Sequence, residues 1–191
     1  MRFAGRCYRG HDPMWSFSPL SGQGAAKTGG RFNRRGEPTL YLSLSIMTAV
    51  GECTQGFGRR LHPLTMCEYD IDCTPVADLR TEADRAALGV ALADLACGWL
   101  TCLRAGRDAP SWAVVDALKA GGHAGMLVPS FAPGAGAGDD NLILWRWGPE
   151  LPTRATVFDP GGRLPRDQRS WTEGAGVSAR TSRAGDPPPP G

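Results

Sequence analysis

Three polar side chains in the first third of the chain are of types that suit one kind of chemistry. Arg31 stands in the pentapeptide Gly-Gly-Arg-Phe-Asn, Tyr41 follows in Leu-Tyr-Leu-Ser, and Glu52 comes next. A guanidinium binds oxyanions through paired N–H groups, an aromatic ring stacks on a flat heterocycle, and a carboxylate stabilises a nearby positive charge. Together these side chains could bind a dinucleotide and help to break a cationic glycosidic bond.

Several other kinds of active site are absent from the sequence. The early glycines lack the G-x-G-x-x-G spacing after a strand, and there is no Gly-Lys-Ser/Thr of a phosphate-binding loop. Neither His-Glu-x-x-His nor Gly-x-Ser-x-Gly occurs, which removes the usual signatures of zinc proteases and serine hydrolases. The six cysteines stand singly and never as Cys-x-x-Cys, so we expect buried reduced thiols rather than disulfides or a zinc site, and no metal.

Length and charge favour a small-molecule enzyme over a membrane or nucleic-acid protein. The 191 residues fit one domain with a sizeable core. No apolar run approaches the roughly 18 to 20 residues of a spanning helix, and the N-terminus lacks the apolar core of a secretion signal, so we expect a cytoplasmic protein. A net charge of +2 is too small to indicate nucleic acid, but residues 1–60 carry nine basic against three acidic side chains, a surplus of +6. That local field suits an anionic small molecule.

The elements expected to position these residues begin with three strands. Alternating apolar and aromatic residues predict strands at 4–9, 39–43 and 65–73. Between the first two, residues 19–30 are rich in Gly, Ser, Ala and Pro and predict a long functional loop. Ser45 is suited to cap a helix that ends at Gly56 and Gly58 and carries Glu52 about two turns inside it.

The second half of the chain predicts helices followed by strands. We expect a helical region at 82–105, a helix from Ser111 that stops at Gly121 and Gly122, and strands at 124–128, 141–147 and 154–158. Residues 164–171 should dock through Trp171, and the Gly/Pro-rich tail at 172–191 should be disordered. The order of strands, helices and strands again, without a βαβ rhythm, predicts a single α+β domain over residues 1–171.

The motifs, taken in order, closely resemble the RES domain family, which is named for an arginine, a glutamate and a serine. The serine corresponds to Ser130 in Val-Pro-Ser-Phe-Ala, and the resemblance runs from Tyr8 to Trp171. The matching segments are Tyr-Arg at 8–9, Leu-Ser-Gly-Gln-Gly-Ala-Ala at 20–26, Gly-Gly-Arg-Phe-Asn at 29–33, Gly-Glu-Pro at 36–38, Leu-Tyr-Leu-Ser at 40–43, Ala49 with Glu52, and Asn-Leu-Ile-Leu at 141–144.

This resemblance implies a fold and a biological role. RES proteins are toxins of bacterial toxin–antitoxin pairs, their antitoxins are helix-turn-helix proteins of the Xre class, and they consume NAD. Their fold is similar to that of ADP-ribosyltransferases. The resemblance therefore implies a split, curved mixed β-sheet with surrounding helices and a cleft for NAD. It also implies a hetero-oligomer with a cognate Xre-type antitoxin and no direct contact with nucleic acid.

Within that family, the residues take expected catalytic roles. Nicotinamide leaves NAD as a neutral group that needs no proton, whereas the ribose becomes an oxocarbenium-like cation, which Glu52 is expected to stabilise. Glu52 is also suited to hold a ribose hydroxyl or to orient the acceptor. Arg31, with Arg9 as a second arginine, is expected to bind the pyrophosphate. Tyr41 is expected to stack on the nicotinamide ring and to donate its hydroxyl.

Other residues are expected to complete the cofactor site. Ser130 and Asn141 offer short polar groups for the ribose or the carboxamide, or else cap turns. Phe32 and Asn33 are expected to shape the pocket. The core is expected to hold the tryptophans Trp99, Trp112, Trp145 and Trp147.

Three functions remain open at this point. In the first, water or phosphate accepts the ADP-ribose and the cell loses NAD. In the second, the same site transfers ADP-ribose to a cellular target protein. In the third, the chain is a non-catalytic module that binds a nucleotide or a partner. The first two share every residue named above, so the sequence does not identify the acceptor.

Overall fold

A seven-stranded mixed sheet organises the chain in the computed structural model, which describes residues 1–54 and 62–169. Neighbouring strands run antiparallel except for the parallel pair β4 and β5, and the sheet order is β4-β5-β6-β2-β1-β3-β7. The strands are β1 (Phe3–His11), β2 (Leu40–Ser43), β3 (Thr65–Cys73), β4 (Val76–Asp78), β5 (Gly125–Pro129), β6 (Asp140–Leu144) and β7 (Thr153–Val157). The predicted α+β class with a mixed sheet is confirmed.

The sheet is split at its centre. β1 pairs with β3 along its whole length, from Phe3 opposite Cys73 to His11 opposite Thr65. By contrast, β1 and β2 meet at one pair, Tyr8 opposite Ser43. One half of the sheet, β4-β5-β6-β2, is therefore joined to the other half, β1-β3-β7, at a single register position, in agreement with the predicted split.

Helices cover one face of the half-sheet β4-β5-β6-β2, and connecting segments cover its other face. The helices are a short 3-10 helix (Pro13–Trp15), α1 (Gln23–Thr28), α2 (Ile46–Thr54), α3 (Glu82–Ala87), α4 (Leu92–Leu95), α5 (Trp99–Arg104) and α6 (Pro110–Ala120). Because side chains alternate along a strand, Met126 and Val128 pack with Val115 of α6, whereas Leu127 packs in a second cluster with Leu142. No helix among the described residues is long and apolar enough to cross a membrane.

Several predicted elements are confirmed, with shifts at their ends. β3 has the predicted bounds, and the strands predicted near 4–9, 39–43, 124–128 and 154–158 exist. α6 begins one residue before Ser111, at Pro110, because proline fits the first turn of a helix. It ends before Gly122, whose φ of 82° is the left-handed conformation expected there. The strand predicted at 141–147 is shorter, since β6 ends at Leu144.

The predicted helical region at 82–105 is confirmed as three short helices, with a break at Gly89, whose φ is 65°. Other expectations were wrong or fall on residues that are not described. The loop predicted at 19–30 contains α1, and β4 was not predicted at all. The predicted helix end at Gly56 and Gly58, the docking of Trp171 and the disordered tail at 172–191 lie outside the described residues.

Candidate active site

A cleft opens near the split in the sheet. It has a volume of about 680 Å³, within the roughly 300–1,000 Å³ that small-molecule sites occupy. The pentapeptide Gly-Gly-Arg-Phe-Asn at 29–33 is called the arginine motif below. The cleft is lined by the end of β1, this arginine motif, β2, α2, Trp99 of α5, and the loop and strand that follow β5. Every element that carries a predicted site residue therefore reaches this cleft or its walls.

Glu52 is held in the cleft by two donors on the same oxygen. Its Oε1 accepts a hydrogen bond from Ser130 Oγ and another from Asn141 Nδ2, each at 2.6 Å. Asn141 Oδ1 in turn accepts from Ser43 Oγ at 2.7 Å. Within the described part of the chain Glu52 Oε2 has no hydrogen-bond partner. The carboxylate is thus fixed through one oxygen, while the other is left for a ligand.

The helix that carries Glu52 is fixed at its first turn by a capping serine and by a side-chain hydrogen bond to a neighbouring loop. Ser45 Oγ accepts from the backbone N–H of Thr48 at 3.0 Å, so Ser45 caps α2 as predicted. Thr48 Oγ1 donates to Asp139 Oδ1 at 2.7 Å, which ties the first turn of α2 to the loop between β5 and β6. That contact joins α2 to the loop that carries Ser130.

Arg31 is oriented by backbone carbonyls and an aromatic ring. Its Nη1 donates to Leu95 O at 3.1 Å and to Cys97 O at 2.6 Å, and its guanidinium carbon lies 4.8 Å from the centre of the Phe131 ring. Burial lowers the pKa of Arg31, yet an arginine stays protonated at neutral pH. No described carboxylate forms an ion pair with it, so this fixed cation remains available to an anionic ligand.

Arg9 lines the same cleft and, like Arg31, contacts a backbone carbonyl and forms no ion pair with a described carboxylate. Its Nη1 donates to Ser21 O at 3.1 Å, and burial lowers its pKa. Arg34, in contrast, pairs with Asp108 at 2.9 Å and with Asp116 at 3.0 Å. The two arginines predicted to bind pyrophosphate are therefore the cations that the cleft leaves without a counter-ion.

The hydroxyl of Tyr41 braces the arginine motif. It accepts from the Phe32 backbone N–H at 3.0 Å and donates to Asn33 Oδ1 at 2.7 Å, and burial raises its pKa. The hydroxyl proton is thus donated to Asn33, and not to a ligand as expected. The ring still lines the cleft beside Phe32.

Asn33, the last residue of Gly-Gly-Arg-Phe-Asn, is not among the residues that line the cleft. It is 1 % exposed, and its Nδ2 donates to the carbonyl oxygens of Ala25, Arg34 and Glu37. The short polar amide satisfies the carbonyls of a tight turn, and its Oδ1 accepts from Tyr41. Asn33 therefore shapes the site through Tyr41 rather than by touching a ligand.

The first turn of α6 holds the motif from the opposite side. Trp112 Nε1 donates to Gly30 O at 3.0 Å, and Ser111 Oγ donates to Arg31 O. A Cβ on Gly30 would lie 2.6 Å from the Tyr41 hydroxyl oxygen and 2.7 Å from Asn33 Oδ1. Glycine is needed at this position because the tyrosine and the asparagine approach the backbone so closely.

Ser130 and Asn141 were expected either to contact ribose or carboxamide or to cap turns. Both donate to Glu52, Ser130 Oγ also caps a turn by accepting from the Ala132 N–H at 3.2 Å, and Asn141 lines the cleft. Trp99 was expected in the core but lines the cleft. Trp112 is buried as expected.

The sequence interpretation missed Phe131 and Ser43. Phe131 directly follows Ser130, and Ser43 lies two residues after Tyr41, on the same face of β2. That period of two could have indicated Ser43.

Of the cysteines, Cys7, Cys67 and Cys73 are buried as predicted, and burial raises the pKa of Cys7 to about 12, whereas Cys53 is exposed and lines the cleft.

Comparisons with known proteins show the family and the fold of the chain. A family model described as the RES domain matches residues 6–167. The structure is similar to one in the crystal structure of the MbcT-MbcA toxin-antitoxin complex of M. tuberculosis, with a TM-score of 0.54 and 24 % sequence identity over 84 % of this chain and 87 % of that chain. At this identity the likeness shows a shared fold. No curated protein matches the sequence.

Proposed function

The chain belongs to the RES domain family, and from that premise we propose that it is the toxin of a bacterial toxin–antitoxin pair that cleaves the nicotinamide–ribose bond of NAD. One observation carries the proposal. A carboxylate fixed through one oxygen by Ser130 and Asn141 shares a cleft with two arginines that have no described counter-ion. A ligand with a cationic pyridinium joined to its ribose and a negatively charged pyrophosphate complements both features.

The proposed reaction begins with binding of the pyrophosphate. Arg31 and Arg9 bind the phosphate oxygens, since guanidinium groups form charge-assisted hydrogen bonds with oxyanions. The planar nicotinamide lies against the aromatic side chains of Phe32, Tyr41 and Phe131, which line the cleft. This placement would bring the ribose carbon close to Glu52.

The C–N bond then breaks, with both electrons going to the nicotinamide nitrogen. Nicotinamide leaves as a neutral molecule, so no acid is needed, and positive charge appears on the ribose. Glu52 Oε2 stabilises that charge, which exists mainly in the transition state. An acceptor oxygen then bonds to the ribose carbon: water, with loss of a proton to solvent, gives ADP-ribose, and inorganic phosphate gives its phosphate ester.

The proposed partner is an antitoxin. The similar structure of M. tuberculosis comes from a toxin-antitoxin complex, which supports a protein partner of that kind here. The family resemblance adds that the antitoxin is of the Xre helix-turn-helix class. Expression of the chain alone should stop bacterial growth and lower cellular NAD, and co-expression of an Xre-type protein encoded beside the gene should restore both.

An assay with purified protein tests the chemistry. The protein is incubated with NAD in phosphate-free buffer, in phosphate buffer, and in bacterial lysate that contains labelled NAD, and the products are identified by chromatography and mass spectrometry. Release of nicotinamide together with ADP-ribose or its phosphate ester supports NAD destruction. Labelled protein in the lysate would instead identify a protein ADP-ribosyltransferase. NAD that binds but stays intact in every mixture would leave only a nucleotide-binding module and refute the proposal.

A further inference from the structure

We propose that Ser43 and Asn141 form a relay that positions the Glu52 carboxylate, an inference that rests on the proposed function for its kinetic consequences. Ser43 Oγ donates to Asn141 Oδ1 at 2.7 Å, and Asn141 Nδ2 donates to Glu52 Oε1 at 2.6 Å. The relay starts from a serine in β2 and ends on the carboxylate of α2. Neither Ser43 nor Asn141 thereby takes a chemical step, so both are positioning residues.

The sheet makes this relay rigid. Ser43 and Asn141 lie directly opposite each other in the antiparallel pair of β2 and β6. Side chains at such positions lie within hydrogen-bond reach because their Cβ atoms are about 5 Å apart. Ser43 is 4 % exposed, so solvent has little access to its hydroxyl. Tyr8 of β1 pairs with Ser43 from the other side, at the single junction between the halves of the sheet.

The donors and acceptors of the relay fit together in only one orientation of the Asn141 amide. An asparagine amide presents an oxygen at one end and two N–H donors at the other. If Oδ1 faced Glu52, two acceptor oxygens would meet and repel, so Nδ2 must face the carboxylate. Oδ1 then faces Ser43, and the hydroxyl of Ser43 must donate its proton to satisfy it. Ser43 thereby selects the orientation of the amide that holds Glu52.

Removal of the serine hydroxyl should loosen the Glu52 carboxylate and leave the binding of NAD nearly unchanged. In Ser43→Ala, Asn141 Oδ1 loses its donor inside the site, and the amide can rotate away from Glu52. We expect kcat for nicotinamide release to fall roughly tenfold, because the carboxylate is no longer held by a fixed amide; this change corresponds to about 1.4 kcal/mol. KM for NAD should change less than about twofold, since the pyrophosphate contacts of the arginines are untouched.

Three variants control for a merely structural effect. Ser43→Thr keeps a hydroxyl on Cβ and should restore most of kcat. Ser16→Ala makes the same change at another buried serine, whose Oγ donates to Pro13 O at 2.7 Å away from the cleft, and should leave kcat unchanged. In an Asn141→Ala background, Ser43→Ala should cost nothing further, because the relay is already broken. Additive losses in that double variant would overturn the proposal.

A second readout is independent of catalysis. In the protein with ¹⁵N-labelled asparagine, the side-chain amide resonance of Asn141, identified by its loss in Asn141→Ala, should move in Ser43→Ala and in Glu52→Gln but not in Ser16→Ala. An unmoved resonance in Ser43→Ala would overturn the relay whatever the enzyme does. If the resonance moves but the wild-type protein releases no nicotinamide from NAD, the relay stands and the proposed function fails.

Discussion

Glu52 is the residue on whose negative charge the proposed reaction depends. Glu52→Gln keeps the length of the side chain and an oxygen that can still accept from Ser130 and Asn141. We therefore expect a folded protein that releases nicotinamide about a hundredfold more slowly, because loss of a preorganised electrostatic contact costs on the order of 3 kcal/mol. Nicotinamide release and the midpoint of thermal unfolding should be measured together. A fully active variant would show that the carboxylate has no role in bond cleavage.

Arg31 should not be replaceable by lysine. Its Nη1 binds two carbonyl oxygens while the rest of its guanidinium stays available, and a single ammonium cannot do both. We expect Arg31→Lys to raise KM for NAD roughly tenfold or more, the effect of losing one charge-assisted hydrogen bond. Arg35→Lys, in the same segment but exposed, is the matched control and should leave KM unchanged. An unchanged KM in Arg31→Lys would show that a positive charge is enough at this position and that the guanidinium group is not needed.

At the level of single residues, the sequence predicted which residues meet but not what each one touches. The motif spacing was enough to bring Arg31, Tyr41 and Glu52 to one cleft. The contacts of Glu52 with Ser130 and Asn141 span 78 and 89 residues of chain, and they depend on strand register rather than on local pattern. The sequence therefore did not predict that Ser130 and Asn141 would hold the Glu52 carboxylate.

At the level of elements, the arginine motif depends on one glycine. Gly30→Ala would place a methyl carbon 2.6 Å from the Tyr41 hydroxyl, so the brace between β2 and the motif must shift. We expect a loss of about 1–3 kcal/mol in the free energy of unfolding and a marked loss of NAD cleavage. Denaturant unfolding and nicotinamide release measure the two effects.

Gly24→Ala is the matched control for that change. Gly24 lies within α1, and a Cβ there would meet no atom within 4 Å. Alanine favours a helix over glycine by up to about 1 kcal/mol, so this variant should be as stable as wild type or slightly more stable, with full activity. Similar destabilisation by both substitutions would mean that the loop as a whole, and not the contact with Tyr41, is sensitive.

Whether an element could be predicted depended on how much pattern it carries. β3 spans nine residues, of which those from Cys67 to Cys73 alternate between apolar and acidic side chains, and its bounds were predicted without error. β4 has three residues, too few for a period, and it exists because it pairs with β5, which lies far along the chain. The helices between 82 and 105 were predicted only as one helical region, and the break at Gly89 depends on a positive φ.

At the scale of the whole molecule, the cleft follows from the weak join between the halves of the sheet. Because β1 and β2 share one residue pair, side chains from both strands can face a common space instead of a continuous ladder. Arg9 reaches this space from β1, and Tyr41 reaches it from β2. The predicted split sheet was therefore the feature of the fold with the greatest consequence for function.

The stability of the molecule should depend on pH through His11, a buried histidine beside the cleft. His11 is 7 % exposed, and its Nε2 contacts the hydroxyl of Tyr69, which donates to Pro19 O at 2.9 Å at the start of the segment leading to the arginine motif. Burial, with a smaller contribution from nearby Arg9, lowers the pKa of His11 from 6.5 to about 4. The folded protein thus keeps this imidazole neutral in a range where the unfolded chain protonates it.

The unfolded state therefore binds more protons than the folded state between pH 6.5 and about 4, and the free energy of unfolding must fall as the pH falls through that range. The expected loss is up to about 3 kcal/mol, given about 1.4 kcal/mol for each pKa unit. Urea unfolding at intervals between the two values measures it, above the range in which Asp72, whose pKa is lowered by Arg2, adds its own loss. His11→Gln keeps a donor for Tyr69 but does not titrate, so its free energy of unfolding should vary much less with pH. An equally steep dependence in that variant would show that other groups cause the acid sensitivity.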